Sequence, residues 1–132
     1  MSTDEYAVVI EVFTERHFIK GFSKKYKKAW DVTIRALVEE VQRAEALIGR
    51  NSYMETIVNV DCVRIIKMEF RVAGTHESRR MSGNCCIVAL HSDTKTAFIL
   101  LVYCKTDVRG SRETDWWREM VRDTYPRYKH LL

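Results

Sequence analysis

The sequence predicts a small α+β domain in which an N-terminal strand and a helical hairpin pack on a mainly antiparallel, twisted sheet, followed by a C-terminal helix. Three observations carry this. Apolar residues recur at helical spacing from about Glu15 to Leu47, three Val/Ile/Leu-rich runs separated by turn signals span Val63 to Asp107, and helical spacing returns from Glu113. The chain of 132 residues, 46% of them hydrophobic, suits one core, so residues 1–132 are read as a single domain in the order β-α-α-β-β-β-α.

Tyr6 to Phe13 is rich in Val, Ile and Phe and reads as the first strand, bounded by Thr14, which also offers a helix cap. Phe18, Phe22, Tyr26 and Trp30 then recur at fours, and Ile34, Leu37, Val38, Val41 and Ala44 continue an apolar stripe. Either Gly21 or the Trp30-Asp31 region divides this stretch into two helices, with Asp31 a plausible second cap. Gly49 closes the helical part, and Tyr53 to Val60 is either a short strand or an irregular approach to the sheet.

In the run VRIIKMEFRVAG, alternation places Ile66, Met68, Phe70 and Val72 on a core face, and Ile65, Lys67, Glu69 and Arg71 on a face that displays charge. A polar loop, THESRRMSGN, leads to the strand CCIVALHS, a turn at Asp93-Thr94-Lys95 and the strand TAFILLVYCKTD. There Phe98, Leu100, Val102 and Cys104 alternate with Ile99, Leu101, Tyr103 and Lys105. Trp116, Trp117, Met120 and Val121 set the last helix, which stops before Pro126. The adjacent tryptophans point about 100° apart on a helix, so either one is exposed as part of a partner-binding patch or both enter a small core.

Positive charge on the core sheet is the chemical signal. The net charge is only +4, but Lys67, Glu69, Arg71, Tyr103 and Lys105 share a surface if their strands are neighbours, which suits an anionic partner or else forms a solvated ion-pair face. Lys20, Lys24, Lys25, Lys27 and Lys28 crowd nine residues without an acidic neighbour, a pattern that favours nucleic acid over a merely solvated helix face. His91 shares the Cys85, Ile87, Ala89 face, His76 sits in the basic loop and His17 faces solvent. Cys62, Cys85, Cys86 and Cys104 lie in or beside strands without metal-type spacing and read as buried reduced thiols. No phosphate-binding loop, dinucleotide fingerprint or metal constellation is present, so no cofactor is expected. The polar start and the shortness of every apolar run lead to the expectation of a soluble, cytoplasmic protein without a membrane partner.

The ordered patterns FIKGFSKKYKK, KMEFRVAG, RRMSGNCCIVAL and ILLVYCKTD, followed by a helix, resemble the RelE/ParE superfamily of toxin-antitoxin toxins over about Val8 to Met120. The resemblance implies a RelE-like fold, ribosome-associated mRNA cleavage of the RelE/HigB-like kind, and neutralisation by a cognate antitoxin in a hetero-oligomer. It matches family positions to Glu69, Arg71, Tyr103 and Lys105, but the arginine usual at the third strand falls on Cys86 and the preceding aromatic on Cys85. Either Arg79 or Arg80 substitutes, or catalysis is weakened or lost. The same scaffold also supports gyrase poisoning, and a nucleic-acid-binding or interaction domain without catalysis is the further alternative.

Metal-free RNA cleavage needs a base for the 2′-hydroxyl, cations for the charged phosphorane and an acid for the leaving 5′-oxygen. The expected assignment is Glu69, or Lys67 with a lowered pKa, as base. Arg71 and Arg80 are the phosphate clamps, and Lys105 or Tyr103 is the acid or positioner. Arg79 and the five helix lysines would hold messenger or ribosomal RNA.

Overall fold

The computed structural model describes residues 5–132. Five strands form one mixed sheet in the order β1-β5-β4-β3-β2. The edge strand β1 (Ala7–Ile10) runs parallel to β5 (Thr96–Cys104), whereas β2 (Met54–Val60), β3 (Val63–Phe70), β4 (Asn84–His91) and β5 are successive antiparallel neighbours. The architecture is α+β as expected, with one strand more than the four assigned: the segment left between strand and irregular chain is β2, which pairs along β3 with a register shift between Thr56 and Val58.

The first helical segment begins earlier than expected. It comprises α1 (Val12–Thr14), a π-helical stretch (Glu15–Ile19) and α2 (Lys20–Tyr26). Thr14 is no cap: it is fully buried within the helix, and its hydroxyl accepts the Val102 N–H at 2.8 Å, tying the helix to β5. The break before α3 (Lys28–Gln42) falls at Lys27, whose φ of 53° reverses the backbone, and not at Gly21 or Trp30-Asp31. The helix α3 turns Trp30, Thr33, Leu37 and Val41 inward at three- and four-residue intervals, and α4 (Ala44–Leu47) buries Ala44.

Both faces of the sheet are covered. The helical hairpin packs Phe22, Trp30 and Leu37 against Ile66, Met68, Phe70, Cys86 and Val88. Phe22 and Trp30 stack at 4.7 Å, and Phe70 lies about 6 Å from both rings. On the opposite face α6 (Glu113–Thr124) and the 3-10 turn Pro126–Leu131 lay Trp117, Val121, Tyr125 and Tyr128 over Ile65, Cys85, Ile87 and Leu101. The expectation that this second face displays charge along its length is thereby corrected. Ile65 is fully buried under the C-terminal aromatics, and charge remains only at the end near Lys67.

A bulge in β5 also changes the expected alternation. Ile87 pairs with Leu101 but Val88 pairs with Ile99, so Leu100 is an extra residue and the side-chain order inverts there. Ala97, Ile99 and Val102 consequently face the hairpin, while Phe98, Leu100, Leu101 and Tyr103 face α6. His91 lies on the Cys85 face, and its Nε2 is 2.7 Å from the Tyr128 hydroxyl. Burial and the nearby Arg127 charge hold its imidazole below the usual histidine range. Trp117 is buried, and Trp116 is half-buried between Phe18 and Tyr103. Of the cysteines, Cys85 and Cys86 are buried and Cys104 half-buried, but Cys62 is exposed because it sits in the β2–β3 turn, where Asp61 takes a positive φ of 55°. Among the described residues no helix is long and apolar enough to cross a membrane.

Candidate functional site

The polar stretch after β3, where the residue pattern predicts a loop, is shaped by a short helix, α5 (Arg79–Ser82). Ser78 caps it by accepting the Met81 N–H at 3.2 Å, and Gly83 ends it at a φ of +74°, a conformation that glycine adopts without strain. The Ser82 hydroxyl donates to the Phe70 carbonyl at 2.6 Å and anchors the helix to the end of β3. Within α5 the two arginines diverge. Arg79 donates to the Glu69 carbonyl at 3.2 Å, pairs with Glu40 at 3.0 Å and lies over the Tyr53 ring at 3.9 Å. Arg80 is exposed and makes no ion pair among the described residues.

Arg80 lines a groove of about 230 Å³ together with Ser52, Tyr53, Glu55, Lys67, Glu69 and Lys105. Strand register explains the convergence: Glu55 stands opposite Lys67, Glu69 opposite Cys85, and Cys85 opposite Tyr103. The strands β3 and β5, which flank β4, thus bring side chains to one end of the sheet, and the turn Lys105–Asp107 closes that end.

Beneath the groove lies a residue that the sequence reading missed. Glu113, at the start of α6, accepts the Tyr103 O–H at 2.6 Å, pairs with Lys67 at 2.9 Å and lies 3.8 Å from Lys105 Nζ. Cys85 Sγ donates to the same carboxylate at 3.5 Å. Burial alone would oppose the Glu113 charge, but the hydrogen bonds from Tyr103 and Lys67 and the charges of Lys67 and Lys105 outweigh it and hold its carboxyl below the usual range. A helix N-terminus also suits a carboxylate. The available signal was an acidic residue opening a helix that follows strands rich in lysine, but nothing in the sequence fixes which strand it meets.

The network assigns protonation states. Burial on its own would lower the Lys67 ammonium, but its hydrogen bond to Glu113 and surrounding negative charge outweigh that and raise its pKa, so the expectation of a lysine base with a lowered pKa is corrected. Burial, the neighbouring Cys85 and the Glu113 hydrogen bond push the Tyr103 phenol well above its usual value, and the ring is fully buried. It positions Glu113 from below and does not line the groove. Burial pushes the Cys85 thiol up to about 12, so it is held as a neutral thiol.

Of the residues named from the sequence, Lys67, Glu69, Arg80 and Lys105 come together at the groove. Arg71 does not. It follows the end of β3, is exposed, and lines a separate cavity of about 220 Å³ on the α3 side with Thr33, Glu40 and Arg79. Arg79 is engaged in the contacts above. Lys20, Lys24, Lys25, Lys27 and Lys28 are all exposed on α2 and the start of α3, without ion pairs among the described residues. Cys86, matched to the family arginine, points into the hairpin core and is fully buried, so the residue on the groove side at that level is Cys85.

Comparison with protein-family models, with curated proteins and with solved structures finds no match. The groove chemistry and the ordered sequence patterns are therefore what a functional reading stands on.

Proposed function

We propose that this chain binds single-stranded RNA across the groove and cleaves it by attack of a 2′-hydroxyl on the adjacent phosphate, as a cytoplasmic toxin of the RelE/ParE kind. The observation that carries the reading is the convergence of Lys67, Arg80 and Lys105 with the Glu69 carboxylate on one groove. In this scheme Glu69 takes the 2′-hydroxyl proton and Arg80 clamps the phosphate oxygens through its planar fork. Lys67 remains charged and stabilises the phosphorane, and Lys105 delivers the proton to the leaving 5′-oxygen. Tyr103 and Glu113 act as positioning residues. The exposed lysines of α2 and α3 supply salt-dependent attraction to messenger or ribosomal RNA, and a cognate antitoxin is the expected protein partner.

The pairing of Lys67 and Lys105 with Glu113 favours one other reading, a nucleic-acid-binding domain without cleavage, because part of the groove's positive charge is already neutralised. Induced expression in bacteria, with growth and primer extension followed together, separates the two. Arrest with discrete cuts in translated messages, lost in Arg80→Ala and Lys105→Ala variants, is the expected result. Arrest with intact messages points to gyrase or another protein target, and absence of arrest with retained RNA affinity points to the binding domain.

A further inference from the structure

A second cavity, of about 250 Å³, opens between α2 and the ends of β4 and β5. It is smaller than the roughly 300–1,000 Å³ of sites for drug-sized ligands, a size that suits one flat ring system. Phe18, Phe22 and Tyr26 contribute aromatic surface to its wall, and Asn84 and Asp107 contribute polar groups.

Asn84 is the telling residue. It opens β4 on the hairpin side, is only 5% exposed, and its carboxamide makes no hydrogen bond among the described residues. Among the described residues Trp117 Nε1 is the one fully buried side-chain polar atom without a partner, so the Asn84 amide opens to the cavity, where it presents both a donor and an acceptor. Asp107 has one carboxylate oxygen on the Cys104 N–H at 2.9 Å, which leaves the other to accept a hydrogen bond. Lys25 stands at the cavity wall with its Nζ 5.2 Å from the Tyr26 ring centroid.

We infer that this cavity is a nucleobase pocket, selective for bases that carry an exocyclic amine over uracil. The carboxamide of Asn84 pairs with adjacent donor and acceptor atoms on the base edge, and the free oxygen of Asp107 accepts from the amine. Aromatic side chains give the base a stacking surface, and Lys25 takes a flanking phosphate. One turn connects the pocket to the groove. Lys105 faces the groove, while Thr106 and Asp107, the next two residues of the same turn, line the pocket. The assignment deepens the RNA reading and rests on it for its biological meaning, but the pocket itself is testable without RNA cleavage.

Titration of the isotope-labelled full chain with 5′-AMP and 5′-UMP, followed by NMR at the Asn84 side-chain amide, is the direct test. A control comes from Gly21, which lines the cavity from α2. A Cβ there meets nothing within 4 Å, so Gly21→Leu fills the pocket while favouring the helix. The expected result is saturable movement of the Asn84 amide with AMP, at least tenfold weaker with UMP and abolished in folded Gly21→Leu. No movement at millimolar AMP, equal response to both nucleotides, or a response that persists in Gly21→Leu overturns the pocket. Loss of RNA cleavage in vivo with the AMP response intact would instead count against the groove chemistry alone.

Discussion

The two faces of the sheet are built on different physics. The hairpin face is closed by aromatic and aliphatic side chains, with Trp30 2% and Leu37 1% exposed. The α6 face begins as an equally apolar layer under Trp117 and Tyr128 but ends in a polar network in which one carboxylate serves Tyr103, Lys67 and Lys105. Substitution should therefore change stability on one face and chemistry at the end of the other. The hairpin face holds the fold, and the end of the α6 face holds charge in place.

The largest effect is expected on the hairpin side. Trp30→Ala removes the ring stacked on Phe22 and should cost about 3–5 kcal/mol in chemical denaturation. The pH dependence of stability should stay as it is, since no titrating network touches that ring. A changed pH profile in this variant would show that the two faces are coupled.

On the other face, Glu113→Ala should cost about 1–3 kcal/mol, because it strands Lys67 and the Tyr103 hydroxyl without their partner. The double variant Lys67→Met with Glu113→Leu should be less destabilised than that single change, since it no longer strands the half-buried Lys67 charge, while the Tyr103 hydroxyl loses its partner in both. Denaturation of the set measures this directly.

The same network sets a pH signature. The Glu113 carboxyl is held below its unfolded value of 4.5, so its contribution is complete above that pH and is lost as pH falls through the depressed folded value. The Lys67 ammonium is raised above 10.5, so its contribution is complete below that pH and is lost as pH rises through the folded value. Stability of wild type and of Glu113→Gln should differ most between these limits and converge at both extremes. A constant difference from acid to alkali would show that the ion pair contributes nothing.

The smallest effect has the opposite sign. Gly21→Ala, in helical backbone with open space at Cβ, should stabilise the chain by about 0.8–1 kcal/mol, read from the denaturation midpoint.

Much of the hairpin face was legible in sequence because periodicity alone carries it: the fourfold spacing of Phe22, Tyr26 and Trp30 and the alternation of Ile66, Met68 and Phe70 require no partner to be known. The bulge at Leu100 was not legible, because it lies in how β5 pairs with β4 and leaves no mark in the residue pattern. The misplacement of Arg71 has a similar cause. Alternation carried it onto the charged face, but the strand stops at Phe70, whose carbonyl accepts from Ser82, and the Ala73 N–H turns to the Thr33 hydroxyl at 2.8 Å. Glu113 reaches Lys67 only through the packing of α6, a contact distant in sequence that no local spacing encodes.

Cleavage by 2′-hydroxyl attack at the groove leaves its signature in the ends of the RNA fragments. In a bacterial translation extract programmed with one message, the expected products are downstream fragments bearing a 5′-hydroxyl and upstream fragments bearing a cyclic or 3′-terminal phosphate, with cutting lost in folded Lys105→Ala. Intact message, 5′-phosphate ends, or undiminished cutting by that variant would rule out 2′-hydroxyl attack at this groove.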